Sequence, residues 1–173
     1  HYDVGTNEDA TEECTNLLAG NYFDYTKPTS LLKHLIKSVT YLDKNSIILD
    51  FFAGSSSTAH AVMDLNTEDD GNRNFIMVQL DEKTKGNSKA NKAGFSSIPE
   101  ISKERIRRAG AKIKTDNADK AGINELDTGF RVLKIATTNM NDIYYRPQAY
   151  NQDLLATPAN NINEDRIDEN LLF

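Results

Sequence analysis

A chain of 173 residues with 38% hydrophobic content has the size of one domain with one modest core, and a mean hydropathy of −0.59 leaves polar segments beside that core. Its net charge of −6 excludes the broad basic footprint with which nucleic-acid binders grip phosphate, so any DNA contact must be local or supplied from outside this sequence. A single cysteine, Cys14, excludes an internal disulfide, and no window approaches the roughly 18 apolar residues of a membrane span. With no secretory signal at the start, these features predict a cytoplasmic, non-membrane protein. Cys14 reads as an incidental small residue. The opening at His1 and the apolar close "DENLLF" predict a piece of a longer protein.

Residues 1–22 are polar and acidic around Leu17 and Leu18, a lead-in with one short helix. In "FDYTKPTSLLKHLIKSVTYL", Leu31, Leu32, Leu35, Ile36, Val39 and Leu42 fall on one helical face, and Pro28 and Thr29 suit a helix start. "SIILDFF" is a short unbroken apolar run after the turn "DKN", the pattern of a buried parallel strand. Thr58 to Leu65 predicts a helix with Ala59, Val62 and Met63 inward, and "FIMVQL" at 75–80 a second buried strand. This is a β-turn-α-loop-β unit, half of a doubly wound sheet. A long loop, 81–94, leads to a helix in "SSIPEISKERIRRAGAKIK" with Ile98, Ile101, Ile106, Ala109 and Ile113 on one arc. "FRVLKIA" at 130–136 is strand-like. The α/β core is expected over 23–136, and 137–173 forms a polar extension without clear pattern.

The turn "LDFFAGSSSTAHAV" carries the functional signal. Ligands of βαβ units bind outside the carboxyl ends of the strands, where small residues admit the ligand and a helix N-terminus offers unpaired N–H groups. Gly54, Ser55, Ser56 and Ser57 make this turn, Thr58 opens the helix, and Gln79, Asp81 and Glu82 end the second strand. The turn lacks the lysine of a P-loop, the closing glycine of a G-x-S-x-G elbow and the glycines of a dinucleotide fingerprint. A ligand-free turn of small residues is the plain alternative.

The same stretch resembles the S-adenosylmethionine motif of amino-DNA methyltransferases, D-x-F-x-G-S-G-T-T. Asp50, Phe52, Gly54, Ser55 and Thr58 match, while Ser56 replaces a glycine and Ser57 a threonine. "FDYTKP" is similar to that family's separate Lys-Pro cofactor motif. "GNRNFIMVQLDE", "ISKERIRRAG" and "DTGFRVLKIATTN" resemble segments of the modification subunits of type III restriction-modification systems. With the Lys-Pro motif first, the order is the circularly permuted, β-type one. The resemblance implies a partial Rossmann-like methyltransferase fold and, for the whole protein, methyl transfer from S-adenosylmethionine to adenine N6 in DNA. It also implies a restriction subunit as partner and allows a homodimer. The family's D-P-P-Y-type catalytic motif is absent, since none of the four prolines are adjacent. In the permuted order that motif lies N-terminal, so no catalytic residue is assigned here.

The resemblance assigns Gly54 to close approach of the cofactor and Asp50 to its methionine end, against a turn glycine and a loop-ordering aspartate as alternatives. Phe52 would wall the pocket or belong to the core. Lys27 and Pro28 would frame the pocket mouth or simply start a helix. Gln79, Asp81 and Glu82 are alternative partners for the ribose. A slightly re-formed loop would spare Ser56 a positive φ, whereas a positive φ there would damage the site. Lys103, Arg105, Arg107, Arg108, Lys112 and Lys114 read as a solvated helix face rather than a DNA contact. His1, His34 and His60 are scattered, so no metal site is expected. The runner-up function is a non-catalytic nucleotide-binding or interaction domain with the same core.

Overall fold

The computed structural model describes residues 4–135. The elements run α1 (Asn7–Leu18), α2 (Thr29–Thr40), β1 (Ile47–Asp50), α3 (Ser57–Asp69), β2 (Asn74–Met77), α4 (Lys89–Lys92) and α5 (Ile98–Asp116), followed by a 3-10 turn, Ile123–Glu125. One compact unit spans His1–Phe130 and a second Arg131–Phe173. The lead-in residues therefore belong to the first unit, where α1 packs on α5. A capping box starts α1: Asp9 N–H donates to the Thr6 hydroxyl and Thr6 N–H to the Asp9 carboxylate.

The strands β1 and β2 pair in parallel, with Ile47 opposite Asn74 and Asp50 opposite Met77, and α3 is the crossover between them. Helix α3 is the centre of the unit. Its Ala61, Val62 and Leu65 meet Ile36 of α2, and its Ala59 and Met63 meet Ile106, Ala109 and Ile113 of α5. Phe75 of β2 packs against both clusters. A helix covered on several sides has no single apolar stripe, and small residues such as Ala59 and Ala61 let its neighbours approach.

Several expectations change. The second strand stops at Met77 rather than at residue 80, although Val78 still pairs with Asp50 through its N–H (2.8 Å). Neither strand is buried on both faces: Ile47 is 65% and Leu49 49% exposed. Ile48 and Phe75 face the helices, and among the described residues nothing covers the opposite face. In α2 the buried row is Ile36 and Thr40, with Leu32 partly covered, so Leu35, Val39 and Leu42 of the predicted apolar face are exposed. The i, i+4 row, not the full arc, meets α3. The loop 81–94 contains α4 and is tied by an antiparallel bridge between Lys83 and Ser97. No strand forms over 130–135, while residue 136 and the extension 137–173 lie outside the described residues.

A buried arginine locks the far end of the strands. Arg73 forks onto both Asp69 carboxylate oxygens at 2.9 Å and donates through Nε to the Thr40 hydroxyl at 2.8 Å. The ends of α2 and α3 are thereby fixed to the start of β2, and the arginine holds the Asp69 carboxyl below its ordinary value.

Candidate functional site

At the carboxyl end of the parallel pair, β1 stops at Asp50 and the chain turns through 51–56 into α3. The turn is anchored to the second strand. Ala53 N–H donates to the Val78 carbonyl at 3.1 Å, and Gly54 N–H donates to Oε1 of Gln79 at 2.7 Å. Gly54 has φ +52°, and a Cβ there would lie 3.1 Å from Cζ of Phe23. The left-handed backbone and the ring behind it both favour glycine here. Ser56, the N-cap of α3, also takes a positive φ, +61°, so the loop is not re-formed to avoid it, yet the turn that a positive φ was expected to damage still closes, with Ser56 N–H on the Ala53 carbonyl at 2.6 Å. Its hydroxyl is buried without a partner and caps nothing.

Asp50 orders this loop. One carboxylate oxygen accepts from Phe52 N–H at 2.9 Å and the other from the Thr58 hydroxyl at 2.6 Å. Two acceptor positions per carboxylate are then occupied out of about four. Phe52 is 91% exposed and forms no part of the core, and Phe51, Tyr25 and Leu80 are exposed as well. Lys27 is exposed, and Pro28 is the buried N-cap of α2. The structure thus brings Asp50, Gly54, Ser55, Ser56, Thr58 and Gln79 into one turn. Asp81 and Glu82 stay outside it: both are exposed, Asp81 beside Lys83 (2.6 Å), while the Glu82 carbonyl accepts from Ile98 N–H.

Five of the six cations of α5 lie on a face open to solvent, Arg107 and Lys112 exposed and Lys103, Arg108 and Lys114 half-buried, but the sixth does not. Arg105 is fully buried. Its Nη1 donates to Thr26 Oγ1 (2.6 Å), Ser57 Oγ (2.8 Å) and Ser55 Oγ (2.9 Å), and its Nη2 lies 3.7 Å from Oε1 of Glu13. Arg108 donates to the Leu18 carbonyl at the end of α1, Arg107 lies over the Phe130 ring, and Lys103, Lys112 and Lys114 have intramolecular oxygen partners. The signal for Arg105 was in the spacing: it stands on the i, i+4 row Ile101–Arg105–Ala109–Ile113, whose other three members are buried. Its partners Glu13 and Thr26 come from segments that carry no such periodic signal.

Glu13 also faces His60, with Nδ1 3.1 Å from Oε1, and accepts from the Thr29 hydroxyl at 2.5 Å. Burial pushes its carboxyl up, but the bonds from His60 and Thr29 and the charges of His60 and Arg105 outweigh it and hold it at about 2. A cleft of about 370 Å³ opens beside this pair, lined by Glu13, His60, Asp64 and residues of α5, and it is separate from the Gly54 turn. Among the described residues no group of acidic, histidine and cysteine side chains could hold a metal ion, and no helix is long and apolar enough to cross a membrane.

The sequence model of the DNA methylase family matches residues 3–90, which enclose the Lys27–Pro28 segment, the Gly54 turn and Gln79. The chain belongs to the DNA methylase family. It is 45% identical over 135 residues to the StyLTI Mod subunit of a type III restriction-modification enzyme of Salmonella typhimurium, a match that covers 78% of this chain and 20% of that one. It is also 45% identical over 121 residues to the EcoPI Mod subunit of Escherichia phage P1, covering 69% and 18%. The type II methyltransferase M.KpnI of Klebsiella pneumoniae is 35% identical over 99 residues, covering 57% and 23%. The chain spans about a fifth of the length of these relatives. The resemblance to type III modification subunits expected from the motifs is therefore met. In this DNA methylase chain the family match ends before α5, so the arginine under the turn comes from outside it.

Proposed function

We propose that this chain is the cofactor-binding part of a DNA methyltransferase that transfers a methyl group from S-adenosylmethionine to adenine N6. The observation that carries the reading is the turn itself. A parallel strand pair delivers Asp50, Gly54 and Gln79 to one end, with the Gly54 amide fixed on Gln79, inside the segment shared with the DNA methylase family. The two-stranded parallel sheet with its helices then corresponds to part of a Rossmann-like methyltransferase sheet.

The donor set fits this cofactor. Asp50 retains acceptor capacity for an ammonium group, and the start of α3, which no side chain caps, suits a carboxylate. Phe52 offers an exposed ring to the adenosine end. Gln79 would keep its hold on Gly54 while its amide N–H₂ remains free for a ribose hydroxyl. Lys27 and Pro28 would border the pocket, and Asp81 and Glu82 would take the ribose only if the segment after β2 moved. Bound S-adenosylmethionine would supply an electrophilic methyl group. This chain's residues would orient it, and the acceptors for the target amino group would come from elsewhere in the protein. A restriction subunit and DNA are the partners proposed for the complete protein, for which the resemblance allows a homodimer, and the cytoplasm is its proposed compartment.

Titration calorimetry with S-adenosylmethionine, its demethylated product, NAD and ATP tests the reading. Binding of the two methionine cofactors, weak in this chain and tighter in the complete gene product, is expected. Binding of NAD or ATP with neither methionine cofactor would overturn it in favour of a different nucleotide-binding module. N6-methyladenine in nucleosides from treated DNA is the expected product; a methylated cytosine would refute the adenine assignment.

A further inference from the structure

Beneath the Gly54 turn lies a polar cluster that the cofactor reading does not use. The hydroxyls of Thr26, Ser55 and Ser57 form a triangle with sides of 3.0, 2.9 and 3.3 Å. Each hydroxyl has one proton to give, so a head-to-tail ring lets each donate to the next. Their remaining lone pairs converge on one atom, Nη1 of Arg105, at 2.6 to 2.9 Å, and the three share its two N–H groups. Nη2 reaches the Thr29 hydroxyl at 3.3 Å and lies near the carboxylate of Glu13. All four hydroxyl-bearing residues are buried. The guanidinium therefore joins the Lys-Pro segment, the serine turn, α5 and, through Glu13, α1.

Burying a cation carries a large desolvation cost, and an apolar side chain would fill the same space without it. This cost is directed at one place. Two of the three hydroxyls on Nη1, Ser55 in the turn and Ser57 at the start of α3, flank Ser56, whose left-handed backbone needs an external hold. The guanidinium reaches the three hydroxyls through Nη1 and Thr29 and Glu13 through Nη2, a spread that the single ammonium of lysine cannot span.

We propose that Arg105 is a positioning residue: through the hydroxyls of Thr26, Ser55 and Ser57 it holds the 53–58 turn in its ligand-ready shape before any cofactor arrives. This rests on the turn being the cofactor site proposed above.

The test separates the two claims. Amide hydrogen exchange in the ligand-free 173-residue chain reads the turn directly, because Ala53, Gly54 and Ser56 have bonded amides. Thr26→Val, which removes a hydroxyl at constant shape, and Arg105→Lys should exchange these amides at least about tenfold faster, with β2 and α2 within about twofold of wild type. Thr26→Ser keeps the hydroxyl and should restore slow exchange. In the complete gene product the same two variants should raise the S-adenosylmethionine Kd and KM about tenfold and leave kcat within about threefold. Turn amides in Thr26→Val that exchange as in wild type would overturn the proposal, as would an unchanged cofactor Kd in a variant whose turn has loosened. If Arg105→Lys does not fold, the Thr26 pair decides. A wild-type protein that binds no S-adenosylmethionine would refute the cofactor reading, and the exchange result would still decide whether Arg105 holds the turn.

Discussion

Replacing Ser56 by glycine should stabilise this chain. The serine holds φ +61°, and its hydroxyl is buried with no partner. A left-handed non-glycine residue costs about 1–2 kcal/mol and an unmet buried hydroxyl about 1–3, against roughly 0.4–1 for the added freedom of glycine in the unfolded chain. Ser56→Gly is expected to gain about 1–2 kcal/mol, read as a higher urea midpoint at unchanged slope; a lower midpoint would mean that the hydroxyl has a partner. Glu13 makes a prediction in pH. Its folded carboxyl is held at about 2 against an ordinary 4.5, so its contribution is complete above about pH 4.5 and is lost as pH falls towards 2. About a third of its side chain meets solvent, which reduces the linked stability to about 2 kcal/mol. Glu13→Gln should lower the unfolding free energy by about that much at pH 7, and the gap to wild type should close on acidification. A gap independent of pH would show that lost packing, not lost charge, is responsible.

Arg73 decides how the elements are held at the end of the sheet remote from the turn. Arg73→Met removes a bidentate partner from Asp69 and a donor from Thr40 where neither is well solvated. Breaking a buried pair from one side costs about 3–5 kcal/mol, a large fraction of a small domain's stability, so the denaturation midpoint should fall sharply. A change under about 1 kcal/mol would mean that Asp69 and Thr40 find other partners. The elements themselves were largely legible. The periodic apolar positions of α5 and the Pro28–Thr29 start of α2 mark a helix body and a helix start through local geometry, which a sequence expresses directly. Strand burial was less legible. An apolar run such as "SIILDFF" does not say how many faces are covered, and here Ile47 and Leu49 look away from the helices. The polar side of the site was the least legible. Arg105 looked like one more cation of a solvated face because its partners stand 48 to 79 residues away, and only the fold brings Thr26, Ser55 and Ser57 to it.

At the scale of the whole molecule, this DNA methylase chain should hold the cofactor without doing the chemistry. Methyl transfer to an exocyclic amine needs acceptors on the amino group and a platform for the extruded base. The turn supplies neither: the acceptor capacity that Asp50 keeps beyond ordering the loop is proposed for the ammonium group of the cofactor, and the prolines of the chain do not form the tetrapeptide that its resemblance to amino-DNA methyltransferases leads one to seek. The net charge is −6, so even non-specific affinity for DNA should be poor. The assay incubates labelled S-adenosylmethionine and adenine-rich DNA with the purified chain, beside the complete gene product. Label should reach DNA only with the complete product. Adding Gly54→Val to that product should abolish transfer, because a branched side chain meets both the left-handed backbone and Phe23. Transfer by the 173 residues alone would mean that acceptors for the amino group lie within this chain, and the division between cofactor grip and base chemistry would have to be redrawn.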